Sequence, residues 1–389
     1  MRFLHTADWH LGRLFHGVRL TDDQAHVLGQ LVDVVRDAAP DVVLVAGDVY
    51  DRAVPPPEAV ELLDDVLSRL VLALKVPVVL IAGNHDSPGR LHFGSRLLAG
   101  RRLYVTGTMP KAGACQPLVM EDRHGRVCFY ALPYAEPATV RNCLECDVVD
   151  HDTAMRATLD RVRAAHASTH GGARAVLVAH AFVAGGSGCE SERPLTVGGA
   201  GTVGADCFGG FHYVALGHLH RPQSMNGGAV RYCGSILKYS FDECDHAKAA
   251  TLVEMDGEGT CKCESIPLTP RRDVRRIEGL FAKLLNEPDE ARPRDDYLEV
   301  TLLDDGPVLD VMNRLREVYP NVLCLGPREK PCGEGNGAAG VSTTAIRLHD
   351  DAVLFKGFYQ HVCGDELSPE QESAYAAVVE EMHRRERAG

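Results

Sequence analysis

The sequence predicts an α/β fold of layered sheets, and two observations carry that expectation. Short apolar runs alternate with amphipathic helical stretches from the first residues onward, the strand, helix, strand rhythm of a sheet covered by helices. In addition, five of those runs stop abruptly at side chains that can hold a cation or move a proton. Arg2–Thr6 runs into Asp8-Trp9-His10, Val42–Ala46 into Gly47-Asp48-Val49-Tyr50-Asp51, and Val76–Ala82 into Gly83-Asn84-His85-Asp86. Ala175–Ala179 runs into His180, and Tyr213–Leu216 into Gly217-His218-Leu219-His220. Ligands of open α/β sheets collect beyond the carboxyl ends of strands, so these clusters can converge in space although they are far apart in the chain.

Taken in order, the first strand is followed by a helix over Asp22–Ala38 and the strand Val42–Ala46. Pro55-Pro56-Pro57 marks the start of a helix from Glu58 to about Leu74, with Val60, Leu63, Leu67 and Leu70 at helical spacing. Leu103–Pro133 breaks into short strands, of which Val127–Leu132 is the clearest, and predicts a second sheet packed on the first. A helix over Asp152–Ala167 leads to the strand before His180, and Gly185–Gly204 reads as a mobile surface loop. Strand pieces at Val230–Cys233 and Ala249–Met255 follow, and the core closes near Pro267.

A smaller unit is expected over residues 271–326, set off by Pro267-Leu268-Thr269-Pro270: helix Ile277–Leu285, strand Tyr297–Leu303, helix Pro307–Val318 and a short last strand. The first domain then spans residues 1–267, a linker 333–345, and terminal helices 346–389. Phe355, Phe358, Tyr359 and Val362 stripe one of these helices, and Tyr375, Val378, Val379 and Met382 the other. Gly364 can end the first, and Ser368, Pro369 and Gln371 form a capping box for the second.

Composition bounds the function. With 389 residues, 45% of them hydrophobic and 24% charged, the chain can bury a large core, and no apolar run reaches membrane length, so a soluble protein is expected. A removable signal is not expected, because the first strand begins at Arg2. Thirteen cysteines in such a chain argue for reduced thiols and a cytoplasmic setting. The net charge of -13 runs against a nucleic-acid partner, but divalent cations would offset part of it, and Arg13, Arg52, Arg90 and Arg221 lie beside the site motifs.

Asp8, His10, Asp48, Asn84, His180, His218 and His220 form an oxygen and nitrogen set without thiolate, which suits manganese or iron better than structural zinc. One carboxylate shared by two cations would hold them about 3.5 to 4 Å apart, the spacing used to clamp both oxygens of a displacement at phosphorus. Asp48, on the strand between the other clusters, is the expected bridge. His85 and Asp51 then remain as a proton-transfer pair, the carboxylate fixing the imidazole that protonates the leaving alkoxide.

These blocks resemble, in order and in register, those of the calcineurin-like metallophosphoesterases: D-x-H at Asp8, G-D-x-x-D at Gly47, G-N-H-D at Gly83, the lone His180 and G-H-x-H at Gly217. Within that superfamily the opening Leu4–Gly12, Arg231–Ser235 and Ser240–Glu243 are similar to the SbcD family of bacterial nuclease subunits. The resemblance implies a calcineurin-like metallophosphoesterase core of two packed mixed β-sheets flanked by helices, a small α+β capping domain that binds DNA, and C-terminal helices that dock on a partner. It implies one metal held by Asp8, His10, Asp48 and His220, a second by Asp48, Asn84, His180 and His218, and His85 as an acid that is not a ligand. It further implies two Mn2+ per chain, with Mg2+ or Fe2+ as alternatives, and exonuclease and endonuclease action on duplex ends, hairpins and single strands in DNA recombination, repair and replication. The partners implied are DNA, the coiled-coil ATPase SbcC and a second copy of the chain; Arg13, Arg52, Arg90, Arg221 and Ser235, in or beside the motifs, are the residues expected to contact DNA. The archaeal and eukaryotic relatives carry a histidine near the position of Asp51, and this sequence departs from them there. A phosphoesterase acting on phosphoproteins or small phosphodiesters is the competing enzymatic reading. A scaffold with a decayed site is the non-enzymatic one, opposed by the presence of every ligand.

Overall fold

The computed structural model describes residues 1–110, 115–193, 195, 201–304 and 308–327, together with Phe355, Ser368, Gln371 and Tyr375. Two six-stranded mixed sheets lie face to face. The first has the order Cys261–Pro267, Ala249–Met255, Arg2–Thr6, Val42–Val45, Val78–Ile81, Leu103–Thr106, and its last four strands are parallel. The second has the order Gln223–Met225, Val230–Tyr232, Tyr213–Gly217, Arg174–His180, Gly125–Ala131, Leu118–Asp122, parallel through its middle four.

The central strands are apolar at nearly every position because both of their faces are covered. Phe3, Val42, Leu44, Val79 and Ile81 point between the sheets, where they meet Phe129, Val176, Val178 and Tyr213. Phe3 packs edge to face on Phe129 and Tyr213 at 5.8 and 5.2 Å. The alternate residues Leu4, Val43, Val45, Val78 and Leu80 turn outward onto helix Thr21–Ala38, which offers Val27, Leu28, Leu31 and Val35. Because the strands carrying the site motifs are parallel within each sheet, their carboxyl ends share an edge, which places the loops that follow them together.

The expected α/β core of two packed mixed sheets flanked by helices is present. Several element boundaries differ from expectation. Leu103–Thr106 does not open the second sheet but closes the edge of the first, pairing with Val78–Ile81. The helix that begins at Pro57 is regular only to Ser68 and passes through a wider π-type turn, Arg69–Ala73. Part of the Gly185–Gly204 loop, residues 187–193, is fixed onto the site by hydrogen bonds given below. None of the described cysteines forms a disulfide, and no described helix is long and apolar enough to cross a membrane.

After Pro270 a third, all-parallel sheet joins Val274–Gly279, Tyr297–Leu302 and Val322–Leu325, with helices Phe281–Asn286 and Val311–Val318 and a core of Phe281, Leu298, Val300, Leu315, Tyr319 and Val322. The helix expected over Ile277–Leu285 is therefore a strand followed by a helix. Ile277, Leu280, Phe281 and Leu284 have helical spacing, but pairing with Tyr297–Leu302 decides the conformation of the first part. This small unit is clasped to the core where the Tyr297 hydroxyl donates to the buried Asp23 carboxylate at 2.8 Å and Arg272 approaches both Asp23 oxygens at 3.4 Å.

Residues 329–389 form a separate unit. In it the rings of Phe355 and Tyr375 stack at 4.1 Å and 4°. Ser368 N–H donates to Gln371 Oε1 at 2.8 Å and Gln371 N–H to Ser368 Oγ at 3.3 Å, the reciprocal capping box that the sequence predicts. The linker 333–345 and the rest of the terminal helices lie outside the described residues.

Candidate metal centre

The seven sequence-predicted ligands meet at the shared edge of the two sheets. Four of them adopt left-handed backbone conformations unusual for residues other than glycine: Asp8 (φ 52°), His10 (φ 46°), Asp48 (φ 48°) and His218 (φ 107°). Such strain, of order 1–3 kcal/mol each, persists only where the surroundings fix it. Here main-chain bonds do so: Asp8 N–H to Gly47 carbonyl at 3.0 Å, His10 N–H to Asp48 carbonyl at 2.9 Å, and His218 N–H to the Asp8 carboxylate at 2.9 Å. Two glycines make room. A Cβ on Gly83 would lie 2.1 Å from Asp48 Oδ1, and one on Gly47 (φ +90°) 2.5 Å from His180 Nδ1.

The donor atoms fall into two groups around Asp48. On one side Asp8, His10 and Asp48 converge, with His10 Nε2 3.7 Å from Asp48 Oδ2 and 3.0 Å from His220 Nε2. On the other, His180 Nε2 lies 3.5 Å from Asp48 Oδ2 and 2.9 Å from Asn84 Oδ1, and His218 Nδ1 lies 3.2 Å from Asn84 Oδ1. His180 Nδ1 donates to the Ala46 carbonyl at 2.9 Å, so in the neutral ring Nε2 bears a lone pair facing the lone pairs of Asn84 and Asp48. Burial pushes the His180 and His218 imidazoles down and holds His10 at about 4, which favours the neutral ring. Burial, then repulsion from Asp48, pushes the Asp8 carboxyl well up. At His180 acceptor faces acceptor, an arrangement that a cation relieves, and the oxygen and nitrogen donors gathered around Asp48 therefore fit a pair of divalent metals.

Asp51 and His85 are placed differently from expectation. His85 Nδ1 donates to the main-chain carbonyl of Asp51 at 2.8 Å, while the Asp51 carboxylate accepts from Arg13 at 2.8 Å and lies 3.6 Å from His10 Nδ1. Burial opposes ionisation of Asp51, but His10 and Arg13 bring its carboxyl down to about 2. His85 Nε2 is buried, lacks a hydrogen-bond partner, and lies 4.0 Å from Asp48 Oδ2. Of the residues expected at DNA, Arg52, Arg90 and Arg221 are exposed. Arg13 is held by Asp51 and the Ser191 carbonyl, and Ser235 is fully buried, donating to the Leu237 carbonyl at 2.7 Å, which corrects the expectation that it contacts DNA.

Sequence reasoning passed over the groups beneath the ligands. Asp86, inside the Gly83–Asp86 motif, accepts from the main-chain N–H of Val49, Tyr50 and Gly83 and so ties two ligand loops together. Burial, with the Asp48 charge, pushes its carboxyl up to about 7. Glu192 Oε1 accepts the His220 N–H at 2.7 Å. Glu243, fully buried, meets Lys248 at 2.5 Å. Burial would raise the Glu243 carboxyl, but Lys248 with His220 and His246 holds it well below the ordinary range. Periodicity carries no signal for such partners; only the cluster Ser240–Glu243 stood out in the chain.

Fold and site define a class, the phosphoester hydrolases that work with divalent metals. The calcineurin-like phosphoesterase family model matches residues 1–222, and the chain belongs to that family. Residues 270–362 match the SbcD C-terminal domain, described as the type 5 capsule protein repressor C-terminal domain, and the two domains together are consistent with the SbcD branch of the superfamily. Similar solved structures include a Thermus thermophilus protein, at 12% identity and TM-score 0.40 over 69% of this chain and 99% of that one. The anchor in the inner membrane complex of Plasmodium is similar at 11% identity and TM-score 0.42, covering 86% of this chain and 99% of its own. A dimetal phosphatase from Danio rerio aligns at 16% identity and TM-score 0.39 over 69% of this chain and 99% of that one.

Proposed function

We propose that the protein is a metal-dependent DNA nuclease, a double-strand exonuclease and single-strand or hairpin endonuclease, working as the nuclease subunit of an SbcCD-type complex in DNA recombination and repair. The observation that carries this reading is the combination of a complete oxygen and nitrogen ligand set on a phosphoesterase core with a C-terminal domain of the SbcD type. Asp8, His10, Asp48 and His220 would hold one divalent cation and Asp48, Asn84, His180 and His218 a second, manganese being the metal that the donor set suits best. Bound there, two such cations would supply an activated water and charge to offset that of the phosphate.

The chain's own residues do the rest. Asp48, close to both groups of donors, supplies the shared negative charge. His85, with Nδ1 committed to the Asp51 carbonyl, keeps Nε2 for the leaving oxygen; protonated there, it serves as general acid. Arg52, Arg90 and Arg221 are exposed beside the motifs and suited to phosphates on either side of the scissile bond. The small domain, clasped to the core through Asp23, is read as the DNA-capping element.

A second copy of the chain is supported by an apolar face: Phe93 and Leu97 are 84% and 82% exposed, and Val60, Leu91 and Leu98 line an adjoining groove. The terminal helices are read as docking on the coiled-coil ATPase SbcC. The test offers the purified protein with manganese a labelled duplex, a hairpin, a chromogenic phosphodiester and a phosphopeptide. Cleavage of the DNA substrates is the expected result, and hydrolysis of the phosphopeptide without cutting of any DNA would favour the phosphatase reading instead.

A further inference from the structure

Beneath the metal centre lies a buried ionic cluster that the mechanism above does not use. Glu243 is fully buried, and its carboxylate gathers donors from several directions: Lys248 Nζ at 2.5 Å, Ser191 Oγ at 2.5 Å, Tyr239 N–H at 3.1 Å and Ser240 Oγ at 3.2 Å. Lys248, also buried, adds bonds to the His220 carbonyl and Ser235 Oγ, both at 2.8 Å. A carboxylate only accepts, so the direction of every bond around it is fixed. The Ser191 hydroxyl proton goes to Glu243, which leaves Ser191 Oγ as acceptor for His220 Nδ1–H at 2.7 Å, and the Glu243 oxygen itself lies 3.3 Å from that nitrogen. With the proton on Nδ1, the lone pair of His220 is at Nε2, the atom that faces His10 Nε2 across the site.

We propose that Glu243 is the positioning residue of His220, fixing its tautomer and ring plane directly and through Ser191, while Lys248 balances the carboxylate charge. The inference rests on the metal reading of the site. A carboxylate or carbonyl behind an imidazole ligand raises the basicity of the ligating nitrogen and fixes its direction, typically changing metal affinity about 10- to 100-fold. Here the same carboxylate also anchors Ser191, so one group holds both the ligand and a residue of the segment 187–193 that lies against it. Lys248 prevents this from leaving an uncompensated buried charge.

Because Glu243→Gln alone strands the Lys248 ammonium in the interior, the test pairs it with Glu243→Gln/Lys248→Met, which removes both charges. Manganese binding to the metal-free proteins is followed by electron paramagnetic resonance of the free ion, thermal unfolding of the metal-free form checks the fold, and the 15N signals of His220 report its tautomer. The wild type is expected to bind two ions per chain. The double variant is expected to keep the melting temperature of the metal-free protein within a few degrees, to bind one ion as the wild type does and the other about 10- to 100-fold more weakly, and to show His220 as mixed tautomers. Unchanged affinity for both ions with His220 still protonated at Nδ1 would overturn the positioning role and leave the metal reading standing. A wild type that binds no manganese would remove the metal reading itself, and the inference with it.

Discussion

His85 Nδ1 lies 2.8 Å from the main-chain carbonyl oxygen of Asp51, so the backbone of Asp51, and not its carboxylate, orients the imidazole. The two positions therefore part company in mutagenesis. His85→Gln should keep wild-type metal content and DNA binding while turnover falls by about two to four decades, the range for loss of a general acid. Asp51→Asn, which keeps the carbonyl, should cost turnover about tenfold or less and leave the pH profile of the proton-donating step in place. Metal analysis and single-turnover rates check both, and a loss of bound manganese in His85→Gln would make His85 a ligand.

Asp48 is the acidic side chain close to both donor groups, 3.7 Å from His10 Nε2 and 3.5 Å from His180 Nε2. Asp48→Asn removes half of its acceptor capacity and all of its charge. Metal content and hydrolysis are expected to fall together, with the metal-free protein still folded. Elemental analysis beside a DNA cleavage assay measures this, and full activity in the variant would place the bridge elsewhere.

His5 sits between the sheets, its ring within 3.0 Å of the Tyr213 hydroxyl and 3.1 Å of the Leu216 carbonyl. Burial pushes its pKa from 6.5 down to about 3. Between those values the unfolded chain binds a proton that the folded chain refuses, so stability falls as pH falls, by about 1.4 kcal/mol per pH unit for one proton. In metal-free protein, denaturant unfolding across that window should show a slope steeper by one proton in the wild type than in His5→Gln. Equal slopes would mean that His5 is not held neutral.

Tyr297→Phe removes the hydroxyl that donates to the buried Asp23 carboxylate. Loss of one donor to a buried acceptor costs about 1–3 kcal/mol, so the unfolding midpoint should drop. If the small domain guides DNA, cutting of duplex ends should fall further than hydrolysis of a chromogenic phosphodiester. Equal losses on both substrates would reduce the clasp to a stability element.

Truncation after Thr344 removes the stretch 346–389 that the sequence predicts to be helical, including the capped turn at Ser368. Manganese-dependent cleavage of single-stranded DNA should persist, whereas co-purification with SbcC and ATP-stimulated cutting of duplex ends should be lost. Undiminished complex formation by the truncated chain would return these helices to packing within their own unit.

What the sequence determined by itself was local and periodic. Runs such as Val42–Val45 and Val78–Ile81, short and rich in β-branched residues, read as strands covered on both faces, and the abrupt change to Asp48 and Asn84 beyond their ends marks the site in the chain itself. The capping box at Ser368 was equally legible, because it depends on residues three apart. Tertiary structure decided the rest. Ile277 follows its ladder with Tyr297–Leu302 rather than its helical spacing, since a strand is stabilised by a partner that lies elsewhere in the chain. Asp51 gives His85 its carbonyl because Arg13 and His10 compete for its carboxylate. Ser235 turns inward to Lys248, and Glu243 reaches His220 from 23 positions further along the chain. No spacing rule encodes such pairs: a buried polar group must find its partner wherever the packed chain places one, and that is settled only when the two sheets close on each other.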